Sequence, residues 1–373
     1  TMYQRGTFNA ITVYPGRELD SNYSMNTVDL CPVGALTSKD FRFKMRVWFL
    51  KETKTIDVDC GTGTNITLWT REDKVYRITP RQNDAVNSCW MPDSHRLNYK
   101  YINAETRIPQ PVIRTDAEAP HRPSTWEPAL ASAAEAVKRI APNQLAIIAS
   151  GRMTNEELYM VRHLAAQIGT DMVDIVPRMG ESDGMLISAD RNPNTNGARL
   201  VLDIEPGSRL DAIREGVRSG SIKGILSLGE DLISPEAGFT AEDLDKLDYL
   251  FMTAHSANET ARHADLVLPG VTYAEKFGTM INVTGRIQRL NRAIQPIGYA
   301  RDDWQIFRDI TLLLGGNPAL KDFNSALDIL TAMSTEYGAL NGVSWGSIGD
   351  GGQPILETGV TIPVVEREKN QGR

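Results

Sequence analysis

The segment Gln144-Leu-Ala-Ile-Ile-Ala-Ser150 is a continuous apolar run, which is typical of a strand buried on both faces of a sheet. It is followed by a capping box, Thr154-x-x-Glu157, which predicts the start of a helix. The apolar stripe of that helix consists of Leu158, Val161, Leu164, Ala165 and Ile168. Gly169 ends it. This strand and helix together predict one unit of an α/β fold.

The same alternation extends in both directions from this unit. Upstream, Ser124-x-x-Glu127 predicts the cap of a helix that runs to about Ile140. Downstream, we expect strands at 172–176, 199–203, 224–228, 250–253 and 265–268, and helices at 208–219, 240–247, 304–314 and 325–337. Thr240 and Asp243 are expected to cap the helix over 240–247. The pattern predicts a doubly wound, mostly parallel sheet in an α/β body over 126–315, then a C-terminal helix and an extended tail over 316–373.

The residues before this body differ in composition. The segments 46–50, 65–70 and 74–79 are rich in β-branched and aromatic residues, and 71–74 has the character of a hairpin turn. We therefore predict a small antiparallel β domain over 46–100. Residues 101–125 contain Pro109, Pro111, Pro120 and Pro123 and are predicted to form a linker.

Composition excludes several classes of protein. With 373 residues, 41% of them hydrophobic, the chain can form two or three domains with a sizeable core. The net charge of −7 without a basic block argues against nucleic-acid binding. No apolar run approaches the roughly 18 residues of a membrane helix, so direct membrane insertion is not expected. Three widely separated cysteines and the lack of an opening secretory signal fit a reducing, cytosolic setting.

The candidate metal ligand is Cys31, in the segment Val28-Asp-Leu-Cys31-Pro-Val-Gly-Ala-Leu-Thr37. A Cys followed by Pro and a small, apolar turn is how the last ligand of a ferredoxin-type [4Fe–4S] cluster is presented. Pro32 has no N–H and a fixed φ, so it sets the angle of the thiolate. The Cys-Pro pair alone is more typical of a buried, inert thiol. A cluster also needs four ligands, and residues 1–59 contain no other cysteine.

The complete string, with the segments 12–20 and 39–43, resembles the end of the second ferredoxin-like module in the large peripheral-arm iron–sulfur subunit (the G type) of NADH:quinone oxidoreductase, respiratory complex I. The resemblance implies that residues 1–45 are the C-terminal remnant of that module and that Cys31 is one ligand of its cluster. It also implies that the other three cysteines lie upstream. We therefore expect a C-terminal piece of a longer protein, with the [4Fe–4S] cluster in the full-length protein and not in this chain alone.

The small β domain resembles the first iron–sulfur domain of the molybdopterin oxidoreductase superfamily, through Asp57-Val-Asp-Cys60-Gly-Thr-Gly-Thr64 and Trp90-Met-Pro-Asp-Ser-His95-Arg. The four cysteine positions of that domain fall on Asp57, Cys60, Thr64 and Pro92. Only one thiol remains, which implies a domain that has lost its cluster and is kept as a scaffold. A zinc site at Cys60, Cys89 and His95 lacks a fourth ligand and the tight spacing of such sites.

The ends of the predicted strands, at 150–151, 228–230, 253–256 and 269–270, mark the edge where an open α/β sheet binds ligands. With the segments 264–269, 275–279 and 282–288, they resemble the pterin-binding domains of molybdopterin enzymes. Such enzymes usually take a metal ligand from an α/β domain, yet no Cys follows Cys89 and only Ser182 and Asp183 lie near the right place. The complex I subunit uses this fold with its pterin site vacant, so we expect no molybdopterin.

The resemblance implies an electron-relay and scaffold subunit of NADH:quinone oxidoreductase, an enzyme to which this chain alone contributes no catalytic residue. Its partners would be other peripheral-arm subunits of complex I, and it would be cytoplasmic, attached peripherally to the inner membrane through the complex. One alternative is a molybdopterin-dependent oxidoreductase such as a formate dehydrogenase large chain. Another is an interaction module that has lost all clusters, which the string at Cys31 argues against.

Overall fold

A computed structural model describes the backbone of residues 2–5, 8–114 and 119–370, and the side chains of 12–114 and 119–370. The strands of the described residues are β1 (Met2–Arg5), β2 (Phe8–Ile11), β3 (Lys51–Ile56), β4 (Asn65–Arg71), β5 (Lys74–Pro80), β6 (Val112–Ile113), β7 (Arg122–Pro123), β8 (Leu145–Ala149), β9 (Val173–Ile175), β10 (Gly224–Leu228), β11 (Tyr249–Ala254), β12 (Leu266–Pro269), β13 (Gly278–Ile281), β14 (Arg286–Leu290) and β15 (Gln353–Pro354). The helices are α1 (Asn26–Leu30), α2 (Asp93–Arg96), α3 (Trp126–Arg139), α4 (Asn155–Ile168), α5 (Thr195–Leu202), α6 (Leu210–Ser219), α7 (Ala241–Leu244), α8 (Glu259–His263), α9 (Asp303–Leu313), α10 (Ala326–Glu336), α11 (Trp345–Ile348) and α12 (Pro363–Asn370).

The core of the chain is a seven-stranded sheet in the order β7-β6-β12-β11-β10-β8-β9. The five strands from β12 to β9 are parallel, and β6 and β7 add an antiparallel edge. Successive side chains of β8 pack on opposite faces of the sheet, each in its own hydrophobic core. Ile147 packs with α3, α4 and α9, and Ile148 packs with α6. The sheet is therefore covered on both faces, which confirms the predicted doubly wound α/β fold.

Two of the three predicted caps are confirmed. Thr154 and Glu157 form a reciprocal capping box at the start of α4, and Thr240 and Asp243 form another at the start of α7. The predicted cap at Ser124 is wrong. Helix α3 begins at Trp126, so its N-cap residue is Thr125 and not Ser124, and the Thr125 side chain makes no cap; the Ser124 hydroxyl donates to the Thr125 carbonyl.

Three other predictions of local structure are wrong. The expected strand at 199–203 lies in helix α5, where Ala198 and Val201, one turn apart, are both buried. A short apolar run fits either a buried strand or one helix face, and packing decides between them. The expected strand at 46–50 is a 3-10 turn at Val47–Phe49 with an exposed Trp48. The expected extended tail contains helices α11 and α12.

The small domain contains the antiparallel sheet β3-β4-β5, and β4 and β5 are joined by the predicted hairpin turn. Glu72 and Asp73 both have positive φ in that turn, as a tight two-residue hairpin requires. The segment 101–125, expected as a linker, supplies β6 and β7 to the edge of the large sheet. A third sheet, β13-β14-β15, lies in the part of the chain that contacts the small domain.

Candidate functional site

Cys31 lies at the C-terminal end of α1 and is partly exposed. The chain then turns through Gly34, whose φ of +64° is a conformation that favours glycine. This turn directs backbone N–H groups at the sulfur, and hydrogen bonds led by that of Leu36 hold the Cys31 pKa below its usual value. The predicted ligand is therefore an accessible thiol in a turn that favours its thiolate form.

The Cys31 segment is held against the small domain by polar contacts with α2. Asn26 exchanges two hydrogen bonds with the backbone of Met91, at 2.8 and 3.1 Å. Asp29 pairs with Arg96 at 2.6 Å, and Arg96 also donates to the Asn26 side chain. Because Arg96 is buried, this ion pair fixes the position of α1 relative to α2.

The loop that joins β3 to β4 carries Cys60 and is almost entirely buried. The Cys60 sulfur lies 3.9 Å from the Leu186 carbonyl, and burial raises the thiol pKa to about 11. Two side-chain amides of the segment 282–288 donate hydrogen bonds to the backbone of this loop. Asn282 donates to the carbonyl of Thr62 at 3.0 Å, and Gln288 donates to that of Gly63 at 2.9 Å. Cys60 is thus an unreactive thiol in a clamped loop.

The clamp gives a physical role to the stretch that resembles pterin-binding domains. Asn282 and Gln288 belong to that stretch, and in this structure their side chains bind the loop backbone. A Cβ on Gly61 would lie 2.4 Å from a Val283 methyl carbon, and one on Gly63 would lie 2.3 Å from the Gln288 amide oxygen. The loop therefore needs glycine at both positions in order to reach the α/β body.

The Cys60 loop also brings together a group of ligand-type side chains that the sequence did not predict as a set. Asp57, Asp59 and His95 have ligand atoms within 4.8 Å of one another, and this is the only such group among the described residues. Burial lowers the pKa of His95, but the charges of Asp57 and Asp59 more than offset this, so the net shift is upward. The hypothetical set Cys60, Cys89 and His95 is not brought together.

The number of thiolates that this chain brings to the Cys31 site or the Cys60 site is smaller than the four that hold a [4Fe–4S] cluster. Such a cluster is held by four thiolates, and the chain has three cysteines of which Cys31 is partly exposed, Cys60 buried and Cys89 exposed. No two of them belong to a common group of ligand-type side chains within the described parts of the chain. Each site therefore supplies at most one thiolate from this chain.

The carboxyl ends of the parallel strands meet at one edge of the large sheet, as predicted. Ala149, Leu228 and Thr253 are aligned in the register of β8, β10 and β11. The residues that follow these strands line a crevice whose volume is about 90 Å³. Ligand pockets usually measure about 300–1,000 Å³, so this crevice is well below their size. Tyr101 lines the crevice, and its ring packs against that of His255 at a centroid distance of 5.4 Å with a tilt of 34°.

Charged groups at the base of the crevice neutralise one another. Lys276 donates two hydrogen bonds to Glu157, at 2.9 and 2.8 Å, and both side chains are buried. Burial lowers the Lys276 pKa, but Glu157 and Asp303 more than offset this and the net shift is upward. Burial raises the pKa of Asp303 to about 7, and the charge of Glu157 adds to this rise. These groups stabilise the fold by pairing with each other.

The two residues nearest the expected molybdenum-ligand position have structural roles. Asp183 accepts hydrogen bonds from the backbone N–H groups of Met185, Leu186 and Ile187 and from the Tyr23 hydroxyl. Ser182 accepts from a backbone N–H two residues later. Neither lines the crevice, and sequence spacing alone could not show this.

Three family profiles match the chain. The profile described as NADH-quinone oxidoreductase subunit 3, ferredoxin-like domain, matches residues 1–37. The profile described as NADH-ubiquinone oxidoreductase NDSU1/NuoG-like, 4Fe-4S domain, matches residues 50–100. Molybdopterin oxidoreductase matches residues 191–311. In the first two of these segments the chain is similar to subunits of NADH:quinone oxidoreductase. This relation agrees with the resemblance found in the Cys31 and Cys60 segments.

Proteins named as subunits of NADH:quinone or NADH:ubiquinone oxidoreductase match most of the chain. The G subunit of NADH-quinone oxidoreductase from Rickettsia prowazekii is 35% identical over 81% of this chain and 46% of its own length. The NADH-ubiquinone oxidoreductase 78 kDa subunit, mitochondrial, of Candida albicans is 27% identical over 86% of this chain and 60% of its own length. The chain therefore spans about half to three fifths of the length of these relatives.

The fold of this chain also occurs in acetylene hydratase from Pelobacter acetylenicus. The TM-score is 0.58 at 9% sequence identity, and the match covers 79% of this chain and 73% of that one. At this identity the likeness concerns the fold alone. It agrees with the molybdopterin oxidoreductase profile over the α/β body.

Proposed function

We propose that this chain is part of an electron-relay and scaffold subunit of an NADH:quinone oxidoreductase, and that Cys31 is one ligand of a [4Fe–4S] cluster in the full-length protein. The observation that carries the proposal is the turn after α1. It presents a partly exposed thiol to a set of backbone N–H groups, within the segment that matches a ferredoxin-like domain. A bound cluster would accept and pass on single electrons.

The residues around Cys31 would position and tune such a cluster. Backbone N–H groups that donate to ligand sulfur change the reduction potential of iron–sulfur centres, and the Leu36 N–H is placed to do so. The Asp29–Arg96 pair would fix the ligand turn on the small domain. The other three thiolates would come from outside residues 1–373, so we propose that this chain alone holds no cluster.

The α/β body would act as a scaffold. Its crevice is well below the usual size of a ligand pocket and its charged side chains are paired, so we propose neither a molybdopterin cofactor nor a catalytic residue in this chain. The partners would be other peripheral-arm subunits of complex I, and the subunit would attach to the inner membrane from the cytoplasmic side through them. Within the described residues, no helix has the length and apolar character to cross a bilayer.

The test is an EPR comparison of variants in the assembled oxidoreductase. Cys31→Ser should damage or remove one [4Fe–4S] signal, because oxygen is a poorer ligand than thiolate for iron–sulfur chemistry. Cys60→Ser and Cys89→Ser are the matched controls and should leave the spectrum unchanged. An unchanged spectrum in Cys31→Ser, with the variant present in the complex, would show that the relay does not use Cys31.

Metal analysis separates this proposal from the alternative of a molybdopterin-dependent oxidoreductase. We expect iron and sulfide, and neither molybdenum nor tungsten, in the purified complex. Stoichiometric molybdenum or tungsten that remains with this subunit would favour the alternative.

A further inference from the structure

We propose that Asp57, Asp59 and His95 form a binding site for a single divalent cation, of the class of Zn²⁺, at the place where the related domain would hold an iron–sulfur cluster. The three ligand atoms lie within 4.8 Å of one another, and Asp57 and His95 are buried. Asp59 is partly exposed, which leaves a path by which a cation can enter. Failure of this proposal would leave the proposed function unaffected.

The geometry of the group suits a small cation. His95 Nδ1 is 2.6 Å from one carboxylate oxygen of Asp57, and the Asn98 amide holds Asp59 through a hydrogen bond of 2.7 Å. Ligand atoms around a tetrahedral Zn²⁺ with bonds of about 2.0–2.2 Å lie about 3.4 Å apart. Small side-chain rotations would therefore bring all three donors to bonding distance.

An independent observation points to the same place. Thr64 is 1% exposed, and its hydroxyl has no hydrogen-bond partner among the described residues. Asp57 donates its N–H to the Thr64 carbonyl at 2.8 Å and so extends the β3–β4 ladder by one pair beyond Ile56 and Asn65. Opposed residues of an antiparallel ladder place their side chains on the same face, so the unsatisfied hydroxyl is on the same face of the ladder as the Asp57 side chain. In the proposed site this hydroxyl would be the fourth oxygen or nitrogen donor.

The chemistry of the donor atoms and their total charge determine which class of cation the site would bind. Two carboxylates, one neutral imidazole and one hydroxyl suit a borderline or hard divalent cation, and they do not suit iron–sulfur chemistry, which needs thiolates. The two negative charges would balance the cation, so a buried, uncompensated charge would be avoided. Cys60 is left outside the donor set, since its sulfur is nearest to the Leu186 carbonyl.

The experiment uses the full 373-residue chain, stripped of metal and titrated with Zn²⁺ by calorimetry and with Co²⁺ by absorption spectroscopy. We expect one equivalent of each to bind. His95→Gln and Asp57→Asn should weaken Zn²⁺ binding by at least about a hundredfold. The matched control is His263→Gln, because His263 forms a similar pair with Asp245 at 2.7 Å on the surface. Its Zn²⁺ affinity should equal that of the unmodified chain.

A further variant keeps the test independent of folding. Thr64→Val is isosteric and removes a hydroxyl that has no partner to lose among the described residues, so the metal-free variant should melt at the same temperature as the unmodified chain or higher while it binds Zn²⁺ more weakly. Zn²⁺ should raise the melting temperature of the unmodified chain and not that of His95→Gln. Absence of stoichiometric binding would reduce the group to an Asp57–His95 ion pair and overturn the proposal. A Co²⁺–thiolate band that disappears in Cys60→Ser would also overturn it.

Discussion

The buried pair between Lys276 and Glu157 gives the sharpest test of how the α/β body is stabilised. The Lys276 ammonium lies 2.9 and 2.8 Å from the two Glu157 carboxylate oxygens, and the two side chains are 7% and 1% exposed. Lys276→Met keeps most of the aliphatic stem and removes the ammonium group. Glu157 then keeps only the hydrogen bond from the Thr154 N–H, at 2.8 Å, and its buried charge has no counter-ion among the described residues.

Loss of one partner from a buried ion pair costs about 3–5 kcal/mol, because the remaining charge stays desolvated. We therefore expect Lys276→Met to lower the free energy of unfolding of the α/β body by about that amount, as measured by urea denaturation followed by circular dichroism. The double variant with Glu157→Gln should regain much of the loss, since it leaves no buried charge.

The control is an exposed Lys of the same body. Lys223 lies 3.7 Å from Asp248, and both side chains are largely exposed. Lys223→Met should cost less than about 0.5 kcal/mol, because such pairs are screened by water. A loss below about 1 kcal/mol in Lys276→Met, or a double variant no more stable than the single one, would refute the reasoning.

Three further predictions concern the Cys60 loop and the crevice. Gly63→Ala should destabilise the chain by about 1–3 kcal/mol in urea denaturation, since the new Cβ meets Gln288 at 2.3 Å and φ is +63°. Asn282→Ala should speed the reaction of Cys60 with a thiol reagent several-fold, because the loop loses the clamp on the Thr62 carbonyl. The Asp303 pKa is raised to about 7, so its protonation stabilises the fold at low pH; the stability that this carboxyl contributes should be lost as pH rises from about 4 to 7, and Asp303→Asn should lack that loss.

Each of these three predictions has a control within the same chain. Gly359 also has a positive φ, of +69°, but nothing lies near its Cβ position among the described residues, so Gly359→Ala should cost only about 1 kcal/mol. Cys89 is exposed and should react at the same rate with and without Asn282→Ala. Equal losses in the two glycine variants, an unchanged Cys60 rate, or equal pH slopes with and without the Asp303 carboxyl would contradict the respective arguments.

The α/β body could be predicted from the sequence, because the signals for its strands and helices are local. An apolar run such as 145–149 and the capping box of Thr154 and Glu157 specify a strand and a helix through nearest neighbours alone. The edge where the strand ends meet also follows from strand–helix alternation, since parallel strands must end on the same side. The family resemblance likewise rests on short strings around Cys31 and Cys60.

Which side chains contact one another could not be predicted from the sequence and became clear from the three-dimensional structure. The helix at 195–202 could not be told from a strand, because its apolar run fits both until the partner surface is known. The hydrogen bonds by which Asn282 and Gln288 clamp the Cys60 loop join residues that are 220 and 225 positions apart in the chain. The group of Asp57, Asp59 and His95 likewise depends on α2 folding back onto the β3–β4 loop. Contacts between distant segments depend on the packing of whole elements, which local sequence patterns do not encode.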